Sequence, residues 1–420
     1  MTRRRILAGA FTCSPSGTPG FTGGEDILGW NLLMQIAKNH DVWALTQEED
    51  RGSIEEAITT KPIPGLHFHY VSFPRWLKPL LKFQGGHQIY YYFWQINAYL
   101  AARRLHLELN FDLFHHITYA NDWMASFIGA LLPIPYVRGP GGGAHRAPRE
   151  IEQEYTLTGR LWEKVRRLGQ WLFRHDPFFI KGQSRAGAIL VCNWDSMRQI
   201  PKKWSHKAGL FPVSGVSSED LSFPFPPKAE DGVFDVLAAG SLIRVKGFGL
   251  AIKAFKLFAD KYPNTRLTIA GSGPEEPRLR VLIRGSSLED KVYLPGTVPR
   301  DTLLSKMASS DVLLFPSLRD GGGTVVIEAM SAAKPVVCLD IGGPGLHINE
   351  ECGIKLKPTS PMETVQNLAN ALERLYLDEG LRVRLGKAAR KRAEQEYHWD
   401  ILGVRLMEIY QPILHREPGR

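Results

Sequence analysis

Two carboxylates, Asp320 and Glu328, stand eight positions apart in the segment FPSLRDGGGTVVIEAM, with three consecutive glycines between them. The glycines follow a strand-like run and precede a stretch with helical spacing, residues 324–332, so they are predicted to open a helix. Free amides at a helix N-terminus favour phosphate, and glycine lets the backbone approach a ligand closely. Carboxylates bind vicinal hydroxyls such as those of a ribose. The pattern predicts a nucleotide-sugar site, or else a flexible loop whose two acids merely cap the helix.

A second turn carries cations that could neutralise a diphosphate. Residues 237–255, LAAGSLIRVKGFGLAIKAF, predict a strand, a glycine turn with Arg244 and Lys246, and then a helix. Two cations at such a turn suit a pair of phosphates. One basic turn is weakly specific, because exposed cations are common, so this turn strengthens the nucleotide-sugar interpretation only together with the first site.

Short runs rich in β-branched and aromatic residues recur along the chain, and helical patterns separate most of them. This alternation predicts an α/β fold with two doubly wound, mostly parallel sheets. Ligands of such sheets lie outside the carboxyl ends of the strands, so a site between two facing domains is expected. We place the linker at residues 211–232, between domains at 1–213 and 214–396. The predicted strands are 4–11, 41–46, 66–73, 111–118, 134–139, 187–193, 234–240, 266–271, 291–296, 311–317 and 335–340.

Composition and charge narrow the class of protein. A chain of 420 residues with 44% apolar residues can fill two cores. Residues 1–213 hold 25 Lys and Arg against 17 Asp and Glu, which is +8 of the total net charge of +9. Such a basic half suits an anionic membrane, an acidic acceptor or nucleic acid, and equally an ordinary solvated surface. The four cysteines have no metal-ligand spacing, which is typical of a cytosolic protein.

Neither a signal peptide nor a membrane span is expected, so we predict a cytoplasmic protein that touches the inner face of the membrane at most. Residues 157–175, LTGRLWEKVRRLGQWLFRH, predict an amphipathic helix with its cations largely off the apolar stripe. The helix could lie on an anionic membrane surface, or it could pack its stripe on the core of the domain. The stripe consists of Leu161, Val165, Leu168 and Leu172.

In these motifs and in their order, the chain resembles the family 4 glycosyltransferases, which have the GT-B fold. The resemblance implies two Rossmann-like domains facing each other across a cleft, with the C-terminal helix, about 397–420, packing back on the first domain. It implies retaining transfer of a hexose from a nucleoside diphosphate sugar, with UDP and then glucose preferred, to a glycan or glycolipid acceptor. The matching segments are 22–46, FDLFHHITY (111–119), IPYVRGPGGGAHRAP (134–148), 239–255, LTIAGSGPEEPRL (267–279), VYLPGTVPRDTL (292–303) and the acid-glycine segment above.

The resemblance also implies roles for individual residues. Glu328 would bind the ribose, Lys246 would neutralise the leaving phosphate, and backbone near Val298 would meet the base. Asp320 and the glycine amides would hold the donor sugar and the diphosphate, with Gly23 and Gly24 closing over the β-phosphate. The implied catalytic residues are Lys246, Asp320 and His116. The implied donor-binding set is Gly24, Ser241, Arg244, Lys246, Val298, Asp320, Gly321, Gly322, Gly323, Thr324 and Glu328.

The chain departs from the family pattern at several of these positions. Asp320 stands for a glutamate, Gly322 for an aromatic residue and Ser241 for an arginine, and we expect Arg244 to supply that missing cation. Ala333 stands where a glycine usually ends the helix, a left-handed cap that costs about 1 kcal/mol without glycine. Two adjacent histidines replace a His-x-His pair. Either His116 or His145 could face the acceptor, and a structural role is the alternative for both.

No Asp-x-Asp spacing occurs, so neither a metal nor another cofactor is expected, and fixed cations and amides would balance the leaving diphosphate. A nucleotide-sugar epimerase or a catalytically weak nucleotide-binding protein on the same fold is the alternative function. An NAD-dependent oxidoreductase is disfavoured, because no G-x-G-x-x-G turn follows the first strand. Nucleic acid is disfavoured as a partner, because the two acids around the glycines would repel a phosphate backbone.

Overall fold

The computed structural model describes residues 2–16, 24–72, 86–143, 146–148, 157–224, 228 and 232–415. These residues form two compact units. The first takes its residues from 1–144, 161–214 and 399–420, and the second from 145–160 and 215–398. The chain therefore returns to the first unit twice, at residue 161 and again at residue 399.

The first unit is built on a parallel sheet of seven strands in the order β3-β2-β1-β4-β5-β6-β7. β4 is buried along its whole length, as expected for a strand that is covered on both faces. The strand order reverses between β1 and β4, and loops that follow these strands meet at that point. The strands are β1 (Arg5–Gly9), β2 (Asp41–Gln47), β3 (Leu66–Val71), β4 (Leu113–His116), β5 (Tyr136–Gly141), β6 (Ala188–Val191) and β7 (Ala208–Leu210).

The second unit repeats the plan with six parallel strands in the order β10-β9-β8-β11-β12-β13. Its order reverses between β8 and β11, so the turns after these two strands are neighbours. The basic segment with Arg244 and Lys246 forms the turn after β8, and the acidic segment with Asp320 forms the turn after β11. The strands are β8 (Phe234–Ala239), β9 (Thr265–Ala270), β10 (Val292–Gly296), β11 (Val312–Phe315), β12 (Val336–Leu339) and β13 (Gly353–Leu356).

Helices connect the strands throughout the described residues, and their bounds follow in chain order. They are α1 (Glu25–Ala37), α2 (Arg51–Thr60), α3 (Gly86–Leu109), α4 (Phe127–Leu131), α5 (Leu157–Arg174), α6 (Pro177–Arg185), α7 (Trp194–Met197), α8 (Ser218–Leu221), α9 (Phe248–Lys261), α10 (Glu276–Gly285), α11 (Arg300–Ser309), α12 (Thr324–Ser331), α13 (Gly342–His347), α14 (Pro361–Leu377), α15 (Glu379–Glu396) and α16 (Trp399–Leu414). None of the helices in the described ranges is both long and apolar enough to cross a membrane.

The prediction of two doubly wound α/β units is confirmed. All eleven predicted strands are present with shifted ends. The short edge strands β7 (AGL) and β13 (GIKL) were not predicted, because neither is a run rich in β-branched or aromatic residues. The helix expected near the C-terminus begins at Trp399 and belongs to the first unit. Its buried residues join the core formed by β1 and α1, and Gln35 of α1 and Lys38, directly after α1, both bond to Asp400.

The helix α12 ends in the left-handed turn predicted from the sequence. Ala333 has φ +56°, its amide donates to the carbonyl of Met330, and the amide of Lys334 donates to that of Ala329. This pair of bonds is a Schellman motif, in which glycine usually takes the left-handed position. Ala333 therefore carries strain that its Cβ imposes.

We predict that Ala333→Gly raises the free energy of unfolding by about 1 kcal/mol, because glycine removes the left-handed penalty. Urea unfolding measures this change. Ala332→Gly is the matched control, since Ala332 has φ −79° and gains nothing from glycine, so we expect it to lose stability. Equal effects of the two substitutions would contradict the strain at Ala333.

Candidate donor and acceptor sites

The carboxylate of Asp320 joins the two turns that the sequence analysis singled out. One oxygen accepts hydrogen bonds from the amides of Gly322 and Gly323, at 3.1 and 2.8 Å. The other accepts from Lys246 Nζ at 2.5 Å. The turn after β8 and the turn after β11 are thus held together by one side chain, as their places at the strand reversal allow.

Asp320 keeps its charge although it is nearly enclosed. Burial raises the pKa of this carboxyl, but the Lys246 ammonium and the two glycine amides outweigh burial, and the net pKa lies below its ordinary value. The carboxylate therefore orders the loop that precedes α12 and pairs with Lys246 at the same time. The amides of Gly322 and Gly323 were expected to be open to a ligand, and in this structure Asp320 engages both of them.

A short helix that the sequence analysis did not consider supports the glycine loop. In α13, the amide of Gly343 donates to the carbonyl of Asp320 at 2.9 Å. His347 Nε2 donates to the carbonyl of Gly322 at 2.6 Å. Burial lowers the pKa of His347 to about 4, so the ring is neutral and can hold this hydrogen bond at physiological pH. The glycine pair at 342–343 was the available sequence signal, because it marks a close backbone approach.

Glu328 lies on α12 and is buried beside a cation from another helix. Arg300 Nε lies 3.4 Å from a carboxyl oxygen of Glu328, and Arg300 Nη2 bonds to Asp220 at 2.6 Å. Burial raises the pKa of Glu328 to about 7, and Arg300 opposes that rise only in part. Glu328 therefore titrates near neutral pH. Sequence reasoning missed Arg300, although a cation at the first position of a helix is unusual and was visible.

The turn after β8 contains the remaining cation of the expected set. Residues Arg244–Lys246 form a 3-10 turn that ends at Gly247, where φ is +71° and a Cβ would lie 2.1 Å from the carbonyl oxygen of Pro316. Only glycine permits this approach, which brings Lys246 to the loop after β11. Arg244 pairs instead with Glu275, at 3.3 Å, and Ser241 is exposed.

The expected donor residues do not all lie in one unit. Ser241, Arg244, Lys246, Val298 and the segment 320–328 belong to the second unit, where Val298 sits in the loop between β10 and α11. Gly24 precedes α1 in the first unit, and its carbonyl accepts from the amide of Leu28. Gly23 and His145 lie outside the described residues.

His116 has surroundings that fit the structural alternative. It is the last residue of β4, it is buried, and its Nε2 shares a hydrogen bond of 2.6 Å with the hydroxyl of Tyr91. Burial, with help from Arg138, lowers its pKa to about 3, so the ring is neutral. His115 is equally enclosed, with its ring nitrogens bonded to Gly139 O and the Tyr410 hydroxyl. These surroundings favour the structural alternative for both rings, and His116 Nδ1 has no hydrogen-bond partner among the described residues.

A buried polar pair near β4 and β5 was not anticipated. Asp122 is 3% exposed, and neither of its carboxyl oxygens has a hydrogen-bond partner among the described residues. Arg138 is 2% exposed, with Nη2 bonded to the carbonyls of Ala120 and Asn121 and Nη1 unbonded within the described part of the chain. Buried polar groups are almost always satisfied, so this pair is a candidate functional group of the first unit.

The glycine loop after β5 packs closely against the same segment. A Cβ on Gly141 would lie 2.0 Å from the carbonyl oxygen of Ala120, so glycine is required there. In the structure Gly141 serves close packing, and the buried groups without a hydrogen-bond partner among the described residues include the Asp122 carboxyl and Arg138 Nη1. No motif or spacing in the sequence pointed to these two residues.

Comparison with known proteins agrees with this architecture. Residues 222–392 match the family model described as glycosyl transferases group 1. The uncharacterized glycosyltransferase MJ1607 of Methanocaldococcus jannaschii is 30% identical over 309 residues, which is 71% of this chain and 75% of that protein.

Solved structures share the fold over nearly the whole chain. Sucrose-phosphate synthase from Thermosynechococcus elongatus superposes with a TM-score of 0.67 at 19% identity, covering 98% of this chain and 99% of that one. Anabaena Alr3699/HepE in complex with UDP-glucose gives a TM-score of 0.61 at 15% identity, with 98% and 100% covered. These structures confirm the α/β, GT-B fold class.

We predict that Asp122→Asn raises the free energy of unfolding by about 1–3 kcal/mol, because an amide removes the cost of a buried carboxyl without partners. Urea unfolding at neutral pH measures this. Asp311→Asn is the control: Asp311 is as buried but bonds to Lys228, Arg382 and the amide of Asp235, so we expect that substitution to destabilise. Destabilisation by both would show that Asp122 has a structural partner.

We also predict a pH-dependent difference between the wild type and Glu328→Gln. The folded-state pKa of Glu328, about 7, is above its ordinary value of 4.5, so the folded state binds the proton more tightly. This contribution to stability is present at low pH and is lost as the pH rises from about 5 through 7. Glutamine does not titrate. Unfolding midpoints measured at several pH values should therefore shift in favour of the variant across this window, and a constant difference would contradict the raised pKa.

Proposed function

The chain belongs to the glycosyl transferases of group 1, and is therefore an enzyme that transfers a sugar from a nucleotide-sugar; within that class, we propose that it transfers a hexose from a UDP-sugar, with UDP-glucose as the first candidate. The transfer retains the anomeric configuration and uses no metal. The Anabaena structure solved with UDP-glucose, which shares this fold, supports the choice of donor.

The observation that carries this proposal is the meeting of Lys246, Asp320 and the amides of Gly322 and Gly323 at the start of α12. A diphosphate adds negative charge at this point, and Lys246 and the amides are the groups that can stabilise it. As Lys246 turns to the leaving phosphate, Asp320 becomes available to accept hydrogen bonds from hydroxyls of the donor sugar. Asp320 thus holds the cation in place until the donor binds.

The chemical step needs few groups from the protein. The bond between the anomeric carbon and the β-phosphate oxygen breaks, and the acceptor oxygen bonds to the anomeric carbon on the same face. The acceptor proton passes to the leaving phosphate, so no side chain has to serve as a base. Lys246 stabilises the departing charge, and Arg244 contributes when it leaves Glu275. Positioning and electrostatic stabilisation therefore supply the rate enhancement.

The base and ribose of the donor occupy the part of the second unit near Glu328. Its carboxyl titrates near neutral pH, and the ionised form accepts hydrogen bonds from the two ribose hydroxyls while Arg300 balances its charge. Nucleotide affinity should then increase as Glu328 ionises. Val298, in the loop after β10, offers backbone groups to the base.

The acceptor is a glycan or a glycolipid of polysaccharide or glycolipid biosynthesis, bound by the basic first unit in the cytoplasm, with peripheral contact to an anionic membrane. Asp122 and Arg138 are the acceptor-side groups that this proposal assigns, because their free hydrogen-bonding capacity suits hydroxyls. A nucleotide-sugar epimerase and a catalytically weak nucleotide-binding protein are the alternative outcomes of the tests below.

Calorimetric titration without metal, against UDP, GDP, ADP and NAD, tests the donor site. We expect UDP to bind, Lys246→Gln to weaken binding at least tenfold, and Glu328→Ala to abolish it, because each removes a direct contact. Lys256→Gln is the control, since Lys256 lies on α9 and pairs with Asp260 at the surface. Binding of NAD in place of the nucleoside diphosphates would overturn the assignment, and equal binding by all variants would place the donor elsewhere.

Turnover separates transfer from the alternatives. Proton NMR of UDP-glucose with an oligosaccharide or glycolipid acceptor should show a new α-linked product. An epimerised sugar would favour the epimerase, and UDP binding without any turnover would favour the binding protein.

A further inference from the structure

The helix α5 is packed the opposite way round from an ordinary amphipathic helix. Its inward face is polar: Glu163 and Gln170 are each only 7% exposed. Its apolar residues at spacings of four, three and four point outward, with exposed fractions between 52% and 63%; they are Leu161, Val165, Leu168 and Leu172. The expectation that this stripe packs on the domain core is therefore wrong.

Specific hydrogen bonds fix this orientation. Arg166 forms two bonds to Glu163, at 2.8 and 3.0 Å, and a third to the carbonyl of Gly143, at 3.3 Å. Gln170 Nε2 donates to the same carbonyl at 3.0 Å. Phe173, on the same side of the helix, contacts the rings of Tyr92 and Trp123. The polar face is thus anchored to the loop after β5, and a rotation that buried the leucines would break these bonds.

The charges around the apolar stripe indicate what kind of surface could cover it. The helix carries five cations and one acid, and the acid is Glu163, which is buried against Arg166. Arg160 and Lys164 are exposed beside the apolar stripe, and Trp171, 55% exposed, flanks it. Leucines at the centre, cations at the edge and tryptophan between them match the interface of an anionic bilayer, where aromatic rings sit at the headgroup level.

A second copy of the chain fits this surface less well. A symmetric contact would bring two helices of net charge +4 against each other, and the stripe of four aliphatic side chains is small beside the roughly 800 Å² that each partner of a stable dimer buries. An anionic lipid surface removes the charge repulsion and needs no shape complementarity. The helix is 18 residues long, so about 27 Å of it can lie along a membrane.

We propose that α5 is an in-plane membrane anchor, whose leucine stripe enters the headgroup region of an anionic bilayer while its polar face stays bonded to the loop after β5. The inference deepens the membrane contact of the proposed function by naming the surface and the lipid chemistry. It does not depend on sugar transfer, since binding to vesicles can be measured without donor or acceptor. Failure of one proposal is therefore distinguishable from failure of the other.

Vesicle co-sedimentation of the full chain provides the test. Vesicles of equal parts phosphatidylglycerol and phosphatidylcholine should bind the protein, and pure phosphatidylcholine vesicles should bind it at least tenfold more weakly. Leu168→Gln should lower binding to the anionic vesicles about tenfold, and Lys164→Glu should lower it further at low salt than at high salt. Leu107→Gln is the matched control, because Leu107 is 74% exposed on α3 of the same unit, so it should bind like the wild type.

Two results would overturn the proposal. One is the absence of binding to anionic vesicles, or equal binding by the wild type and Leu168→Gln. The other is a lipid-free wild-type dimer that Leu168→Gln converts to a monomer, which would assign the stripe to a second copy of the chain. Thermal melting checks the fold: Leu168 is exposed, so its substitution by glutamine should leave the melting temperature unchanged.

Discussion

The candidate donor site depends on the carboxylate of Asp320, which binds both the glycine amides and the Lys246 ammonium. Asp320 engages the amides of Gly322 and Gly323, just before α12, and the ammonium of Lys246, and in the proposed mechanism these are the groups that bind a diphosphate. A shorter acid than the glutamate of the resembled family is suited to this, because an aspartate reaches the amides two and three residues ahead of it. In the proposed mechanism, binding of the donor exchanges one anion for another, so the cation and the amides stay oriented throughout.

Charge balance distinguishes the buried acids of the protein. Asp320 has a cation and two amides and remains ionised, whereas Glu328 has a cation at 3.4 Å and titrates near neutral pH. Asp122 has no partner within the described residues, although it is buried and the other two are partly exposed. The three environments differ in the number of donors that face each carboxyl. Structural acids gather donors, so an acid without them indicates a group kept for a ligand.

Hydrogen-bond partners also determine which face of α5 in the first unit is exposed. The polar residues of α5 form hydrogen bonds within the unit, and its apolar stripe is exposed. Hydrophobic burial alone would rotate this helix so that its leucines faced the core. The hydrogen bonds from Arg166 and Gln170 to Gly143 hold it in the observed orientation instead. An arrangement that exposes leucines is retained in proteins where something else covers them.

The sequence by itself determined the α/β class, all the described strands except β7 and β13, the turn with Lys246, the acid-glycine loop and the left-handed cap at Ala333. These features depend on periodicity and on local backbone chemistry, which neighbouring residues express without help from the rest of the chain. The sequence could not indicate that Asp320 engages Lys246, that Arg300 faces Glu328, or that His116 is enclosed by Tyr91. Those pairs are separated by 74, 28 and 25 positions, and only the order of the strands brings them together. The amphipathic period of α5 was equally visible in the sequence. Which face of the helix points inward was decided by hydrogen bonds to Gly143, fourteen residues before the helix begins. Periodicity determines the pattern of apolar residues along a helix, whereas tertiary packing determines how the helix is rotated about its axis.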